Sequence, residues 1–62
     1  MPRLVREKER KAITGVPTST AYALIAKGQY PKPVRIGARS VAWVEEELLT
    51  WTEQRIADGR SG

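Results

Sequence analysis

The chain has 62 residues, a formal net charge of +4 at pH 7, and neither cysteine nor histidine. A chain this short folds around one modest core, so we expect a single domain over residues 1–62. Without cysteine it has no disulfide or thiolate metal site, and without histidine it lacks the commonest general base and metal ligand. We therefore predict that the protein is not an enzyme and has no catalytic residue, metal site or cofactor.

Positive charge is concentrated in the first two thirds of the sequence. Residues 1–42 hold nine Lys and Arg against two Glu, and residues 43–62 hold two Arg against five acids, so +7 and −3 sum to +4. This asymmetry favours a polyanionic partner at the basic end, although charge can also serve solubility alone. No apolar run reaches the roughly 20 residues that a membrane span requires. No apolar segment follows the basic residues of the N-terminus, as it would in a signal peptide. We therefore expect a cytoplasmic protein that does not bind membranes.

The first third of the chain predicts an extended arm, a helix and a tight turn. Met1–Val5 is the arm and could form a short strand. Arg6–Ile13 favours a helix by propensity, although its apolar content is poor. Gly15 follows as a helix-ending glycine in the left-handed conformation. The sequence thus predicts that a second helix begins just after this turn.

The second helix is predicted to run from Thr18 to Lys27, with Gly28 ending it. Thr18 is the expected N-cap with Pro17 just outside, although Pro17 itself could be the cap. Helical spacing places an apolar ridge toward the core at Ala21, Leu24 and Ile25. The same spacing places a polar face outward at Thr18, Ser19, Tyr22, Ala26 and Lys27.

A β-hairpin is predicted after the proline-rich connector Tyr30–Pro33. Every second residue is apolar within Val34–Ile36, and again at Val41 and Trp43 within Ser40–Trp43, with the turn-like Gly37–Arg39 between these segments. We expect Arg35 to point outward and Arg39 to lie at the tip. The side chains expected on the buried side are Val34, Ile36, Val41 and Trp43.

Glu45–Ala57 is predicted as the last helix, followed by a frayed tail over residues 58–62. Three consecutive glutamates open this helix and favour its positive dipole end. Because successive helical positions diverge by about 100°, these carboxylates do not converge on a metal ion. Trp43 and Trp51 are interpreted as core residues.

Two helices joined by a tight turn and followed by a basic hairpin are typical of a winged helix-turn-helix, so we predict a small α+β fold. The alternative is a structural αα corner with solvated charges. The outer face of the second helix suits the major groove of DNA, and the hairpin suits the DNA backbone. The candidate DNA-binding residues that this pattern indicates are Thr18, Ser19, Tyr22, Lys27, Lys32, Arg35 and Arg39.

Several segments carry a resemblance to a known family, most specifically Tyr30–Gly37 followed by Trp43, together with Thr14-Gly15, Ser19–Tyr22, Lys27–Gln29 and Trp51. Over about residues 3–56, the chain resembles the AlpA-like regulators of prophages and integrative elements. These are winged helix-turn-helix proteins related to excisionases and, more distantly, to the MerR DNA-binding domain.

The resemblance implies a short first strand, the two-helix motif, a wing and a closing helix. It also implies that the second helix enters the major groove through Thr18, Ser19, Tyr22, Ala23 and Lys27. In the same way, Arg35, Arg39 and Ser40 are implied to follow the DNA backbone or the neighbouring minor groove.

Four positions depart from the family pattern. Pro17 replaces a capping Ser, and Ala42 replaces a Gly. Arg10 replaces an apolar residue of the first helix, which suggests a looser core or a side chain whose stem snorkels to solvent. Ala23 replaces an Arg or Lys of the recognition helix and so removes a donor for direct readout.

The sequence therefore predicts a sequence-preferring double-stranded DNA-binding protein that regulates transcription in a prophage or integrative element. One alternative is an excision factor that bends DNA and contacts an integrase. An alternative of another class is a small protein-interaction module or inhibitor. Because one protomer of this size reads only a few base pairs, we expect a homodimer or a cooperative array on DNA.

Overall fold

The computed structural model describes residues 2–61, so the predicted states of Met1 and Gly62 lie outside the described residues. It confirms the predicted small α+β fold, with three helices and a three-stranded antiparallel sheet in a winged-helix-like arrangement. The elements in chain order are β1 (Leu4–Val5), α1 (Glu7–Thr14), α2 (Thr18–Ala26), β2 (Val34–Arg35), β3 (Val41–Val44) and α3 (Glu45–Ser61).

A glycine ends α1, as predicted. Gly15 has a φ of 71°, and its N–H donates to the carbonyl of Lys11 at 2.7 Å, which closes the last turn. This left-handed conformation costs glycine little because it has no Cβ. Val16 follows half-buried against the core and fills the angle between α1 and α2.

Pro17, and not Thr18, is the N-cap of α2, so the preferred prediction for the cap was wrong. Pro17 has an extended backbone (φ −61°, ψ 154°), and its carbonyl accepts the first helical hydrogen bond from Ala21 N–H at 2.9 Å. Proline lacks the backbone N–H that a helix interior requires, but it is tolerated at the start of a helix. Thr18 is therefore the first helical residue, and its hydroxyl is available for another contact.

The C-terminal end of α2 forms a Schellman motif around Gly28. The N–H of Gly28, whose φ is 72°, donates to the carbonyl of Ile25 at 3.0 Å. The N–H of Gln29 reaches back to the carbonyl of Leu24 at 2.8 Å. These two bonds satisfy carbonyls that the helix end would leave unpaired, and they turn the chain into the connector.

The sheet has the order β1-β3-β2, so the possible N-terminal strand is present and pairs with the second strand of the hairpin. Val5 lies opposite Trp43, and Arg35 lies opposite Val41, both in antiparallel register. Directly opposite residues share a face, as do residues two apart on one strand. Val5, Val41, Trp43 and Arg35 therefore share the face that is directed toward the core.

The prediction that Val34 and Ile36 lie on the buried side of the hairpin was wrong. Val34 pairs with Ala42, which places it on the sheet face opposite Trp43. Val34 is 43% exposed and Ile36 is 45% exposed. Arg35 is exposed, as predicted, although its pairing with Val41 places it on the sheet face of Trp43.

α3 follows β3 directly and runs to Ser61, so the predicted helix end at Ala57 and the frayed tail over residues 58–61 were wrong. Arg3 fixes its start: the carbonyl of Arg3 accepts from Glu45 N–H at 2.8 Å. The Arg3 guanidinium donates to the Glu45 carboxylate at 2.6 Å and pairs with Glu9 of α1 at 2.5 Å. Among residues 2–61, no helix is long and apolar enough to cross a bilayer.

The core joins β1, α2, β3 and α3, and Ile13 of α1 packs against it. Trp43 is fully buried, as predicted, and its indole N–H donates to the carbonyl of Pro31 at 3.1 Å. Trp51 is only half-buried, and its indole N–H donates to the carbonyl of Gln29 at 2.8 Å. The two tryptophans thus bind the backbone on either side of Tyr30, at the start of the connector. The buried cluster consists of Val5, Ala21, Tyr30, Trp43 and Leu48.

Candidate nucleic-acid interface

The outer face of α2 is solvent-accessible along its length. Ala21 is fully buried, whereas Leu24 and Ile25 are half-buried against the core, so the predicted ridge faces inward but is only partly covered. The predicted outward face is confirmed, because Thr18, Ser19, Tyr22, Ala26 and Lys27 are all exposed, and Ala23 is exposed beside them. Hydroxyls at the first turn and an ammonium at the last therefore face solvent from a single helix.

Tyr22 connects this helix face to the sheet. Its ring is 45% exposed, and its centroid lies 6.3 Å from the Trp43 ring in an edge arrangement with an interplanar angle of 68°. One edge of the ring therefore packs on β3 while its remainder stays accessible. Because Arg35 shares the sheet face of Trp43, α2 and Arg35 lie on the same side of the sheet.

The connector and the hairpin together carry three exposed cations. Lys32 precedes β2, Arg35 lies within it, and Arg39 lies in the turn before β3. Ser40 is half-buried, and its carbonyl accepts from Ile36 N–H at 2.9 Å, which closes the turn. Guanidinium and ammonium groups in such a loop suit phosphate oxygens.

A buried arginine holds α1 against the turn and the core. Arg10 is 0% exposed, so its side chain does not snorkel to solvent, which was one expectation from its departure from the family pattern. Its Nη1 donates to the carbonyl of Val16 at 2.9 Å and to the hydroxyl of Tyr30 at 3.1 Å. Its Cζ lies 5.8 Å from the Tyr30 ring centroid and 5.4 Å from that of Trp43.

Glu7 completes this network on the solvent side. Arg10 Nε donates to Glu7 Oε1 at 3.2 Å, and Arg10 Nη2 pairs with Oε2. The hydroxyl of Thr18 also donates to Glu7 Oε2, at 2.6 Å. Tyr30 and Thr14 close the inner end, with their hydroxyl oxygens 2.9 Å apart. A continuous chain of polar contacts therefore runs from the buried connector to the first residue of α2.

The ionisation of the pair follows from these contacts. Hydrogen bonds from Arg10, and secondarily from Thr18, lower the pKa of Glu7 against a smaller opposing effect of burial. Burial opposes the charge on Arg10, but its hydrogen bonds to Glu7 and Tyr30 outweigh it and raise the pKa of Arg10. Both groups are therefore charged at neutral pH.

Sequence reasoning missed Glu7, Tyr30 and the role of Arg10. The Glu7 carboxylate contacts Arg10 of its own helix and Thr18 of α2. A signal was present: an arginine at an apolar position of α1, three residues after a glutamate, indicates a buried ion pair. The long-range contacts with Thr18 and Tyr30 depend on the angle between the helices, which spacing does not provide.

Comparison with known proteins identifies the family of the chain. Residues 3–56 match the profile of the family described as prophage CP4-57 regulatory protein (AlpA). The chain is also 38% identical over 60 residues to an uncharacterized protein, ORF88, of Enterobacteria phage P4, covering 97% of this chain and 68% of that protein. No solved structure matches the chain. The chain belongs to the AlpA family of prophage regulatory proteins.

Proposed function

We propose that the protein is a sequence-preferring double-stranded DNA-binding protein that regulates transcription in a prophage or integrative element. The observation that carries this proposal is that α2 and Arg35 of the hairpin lie on one side of the sheet. Tyr22 packs on Trp43, and Arg35 lies on the same sheet face. An exposed helix with an adjacent basic loop can follow one groove and the phosphates beside it.

The exposed side chains are suited to two kinds of contact with DNA. Lys27, Lys32, Arg35 and Arg39 provide cations for phosphates, which supply most of the affinity. Ser19 and Tyr22 offer hydroxyls to base edges or the sugar-phosphate backbone. Ala23 offers only a methyl group, which suits contact with a thymine methyl and provides no hydrogen bond.

Salt dependence of DNA binding tests the electrostatic part of this proposal. If about five phosphates are neutralised, log K falls against log salt with a slope of about −4 to −5. Fluorescence anisotropy with a labelled random duplex measures this slope. Arg39→Ala should reduce its magnitude by about 1, whereas Arg60→Ala removes the same charge from α3 and should leave the slope unchanged.

The result also discriminates against a protein-interaction module. No binding to the random duplex at low salt would favour a protein partner, and a slope near zero would contradict the phosphate mechanism. Substituting Lys32, Arg35 and Arg39 together is less informative, because the loss of three cations would weaken either kind of partner.

An excision factor is the second candidate, because it would use the same surface. Selecting bound duplexes from a random pool gives the preferred site and its repeat pattern. A transcriptional regulator is expected to occupy an operator near a promoter, as a dimer or a cooperative row on inverted or repeated sites. Strong bending of the selected duplex together with integrase binding would favour the excision factor.

A further inference from the structure

A carboxylate from α1 lies at the start of α2. Glu7 accepts the Thr18 hydroxyl at 2.6 Å, and the Glu7 side chain remains 42% exposed. The first turn of α2 has no acidic residue of its own. The negative charge at this end of α2 therefore comes from a different helix.

From this contact we propose that Glu7 is a specificity-determining residue that lowers the affinity of the protein for DNA of arbitrary sequence. The proposal rests on the proposed function. Non-specific binding consists mainly of phosphate contacts, and the first N–H groups of a helix attract phosphates. A carboxylate at that end repels a phosphate there while base contacts farther along α2 remain possible.

The buried position of Arg10 explains why the pair still presents negative charge to DNA. Arg10 is fully buried and is bound to Val16 and Tyr30, so its cation cannot move to the surface. Glu7 is the exposed member of the pair. The pair is neutral as a whole, but its negative end faces solvent beside Thr18.

Glu7→Gln tests the proposal, because the glutamine oxygen can still accept from Thr18 and from Arg10 Nη2, and only the bond from Arg10 Nε is lost with the charge. Anisotropy at about 0.1 M salt, where the screening length is about 10 Å, should show affinity for a random duplex raised about threefold or more. Affinity for the selected site should rise less, so the ratio of specific to non-specific affinity falls. Glu53→Gln removes the same charge from α3 and should change either affinity by less than about 1.5-fold.

A second variant covers the case in which Glu7→Gln does not fold, because that change leaves the buried Arg10 without its counter-charge. Glu7→Gln combined with Arg10→Met keeps the net charge and removes both members of the pair. Circular dichroism first confirms that each variant is folded. The double variant should also bind the random duplex more tightly, since its exposed negative end is gone.

Three outcomes would overturn the proposal. Equal effects of Glu7→Gln and Glu53→Gln would mean that net charge alone acts. Unchanged or weaker random-duplex binding by the folded variants would mean that Glu7 only supports the fold. Failure of the unmodified protein to bind either duplex would remove the proposed function itself, and with it this inference.

Discussion

Arg10 shows how a small core can hold a charged side chain. Burying an unpaired cation costs free energy, and that cost depends on how completely hydrogen bonds within the protein replace those to water. The planar guanidinium meets the carboxylate of Glu7, the carbonyl of Val16 and the hydroxyl of Tyr30 at once. The rings of Tyr30 and Trp43 lie within 6 Å of its Cζ. A lysine could not reproduce this planar set of contacts.

Arg10→Ala is therefore expected to lower the free energy of unfolding by about 2–4 kcal/mol, from lost packing and unpaired polar groups. Arg10→Met should cost less, because its side chain refills most of the volume and Tyr30 keeps its bond to Thr14. Urea denaturation followed by tryptophan fluorescence measures both values. A change below about 0.5 kcal/mol for Arg10→Ala would show that the buried network contributes little.

At the scale of the elements, the turn between α1 and α2 sets the position of the proposed recognition helix. Gly15 adopts φ 71°, and an added Cβ there would meet no described atom within 4 Å. A substitution at this position is thus strained by its backbone conformation and not by crowding.

Gly15→Ala should therefore lower the free energy of unfolding by about 1 kcal/mol. Gly59→Ala is the matched control, since Gly59 lies within α3 and its added Cβ would also meet no described atom within 4 Å. There alanine should be neutral or stabilise by up to about 1 kcal/mol, because glycine is a poor helix former. Thermal melting of the two variants should shift in opposite directions. Equal shifts would contradict a left-handed Gly15.

The elements also show where sequence reasoning succeeds. Gly15 and Gly28 end helices, and the prolines mark a helix start and the connector, so the three helices and the hairpin could be predicted. The faces of the hairpin could not, because strands of two and four residues contain too little alternation to fix a register. The pairing of Val34 with Ala42 places Val34 and Ile36 on the sheet face opposite the predicted one.

At the scale of the whole molecule, charge is uneven along the chain. Lys27 ends α2, and Lys32, Arg35 and Arg39 lie on the connector and hairpin, whereas five acids and two arginines lie on α3. Composition was enough to predict this unevenness, which supports the proposed polyanionic partner. It could not predict Glu7 at the start of α2, because that contact joins residues 11 positions apart through the angle of two helices.

The central claim is that α2 and the hairpin bind one duplex together. Two-dimensional NMR of ¹⁵N-labelled protein during titration with the selected duplex tests it most directly. The amide signals of Ser19, Ala23, Lys27 and Arg39 should shift together and saturate at the same DNA ratio, while that of Glu53 on α3 stays in place. Shifts concentrated on α3, with α2 and the hairpin unchanged, would contradict the account.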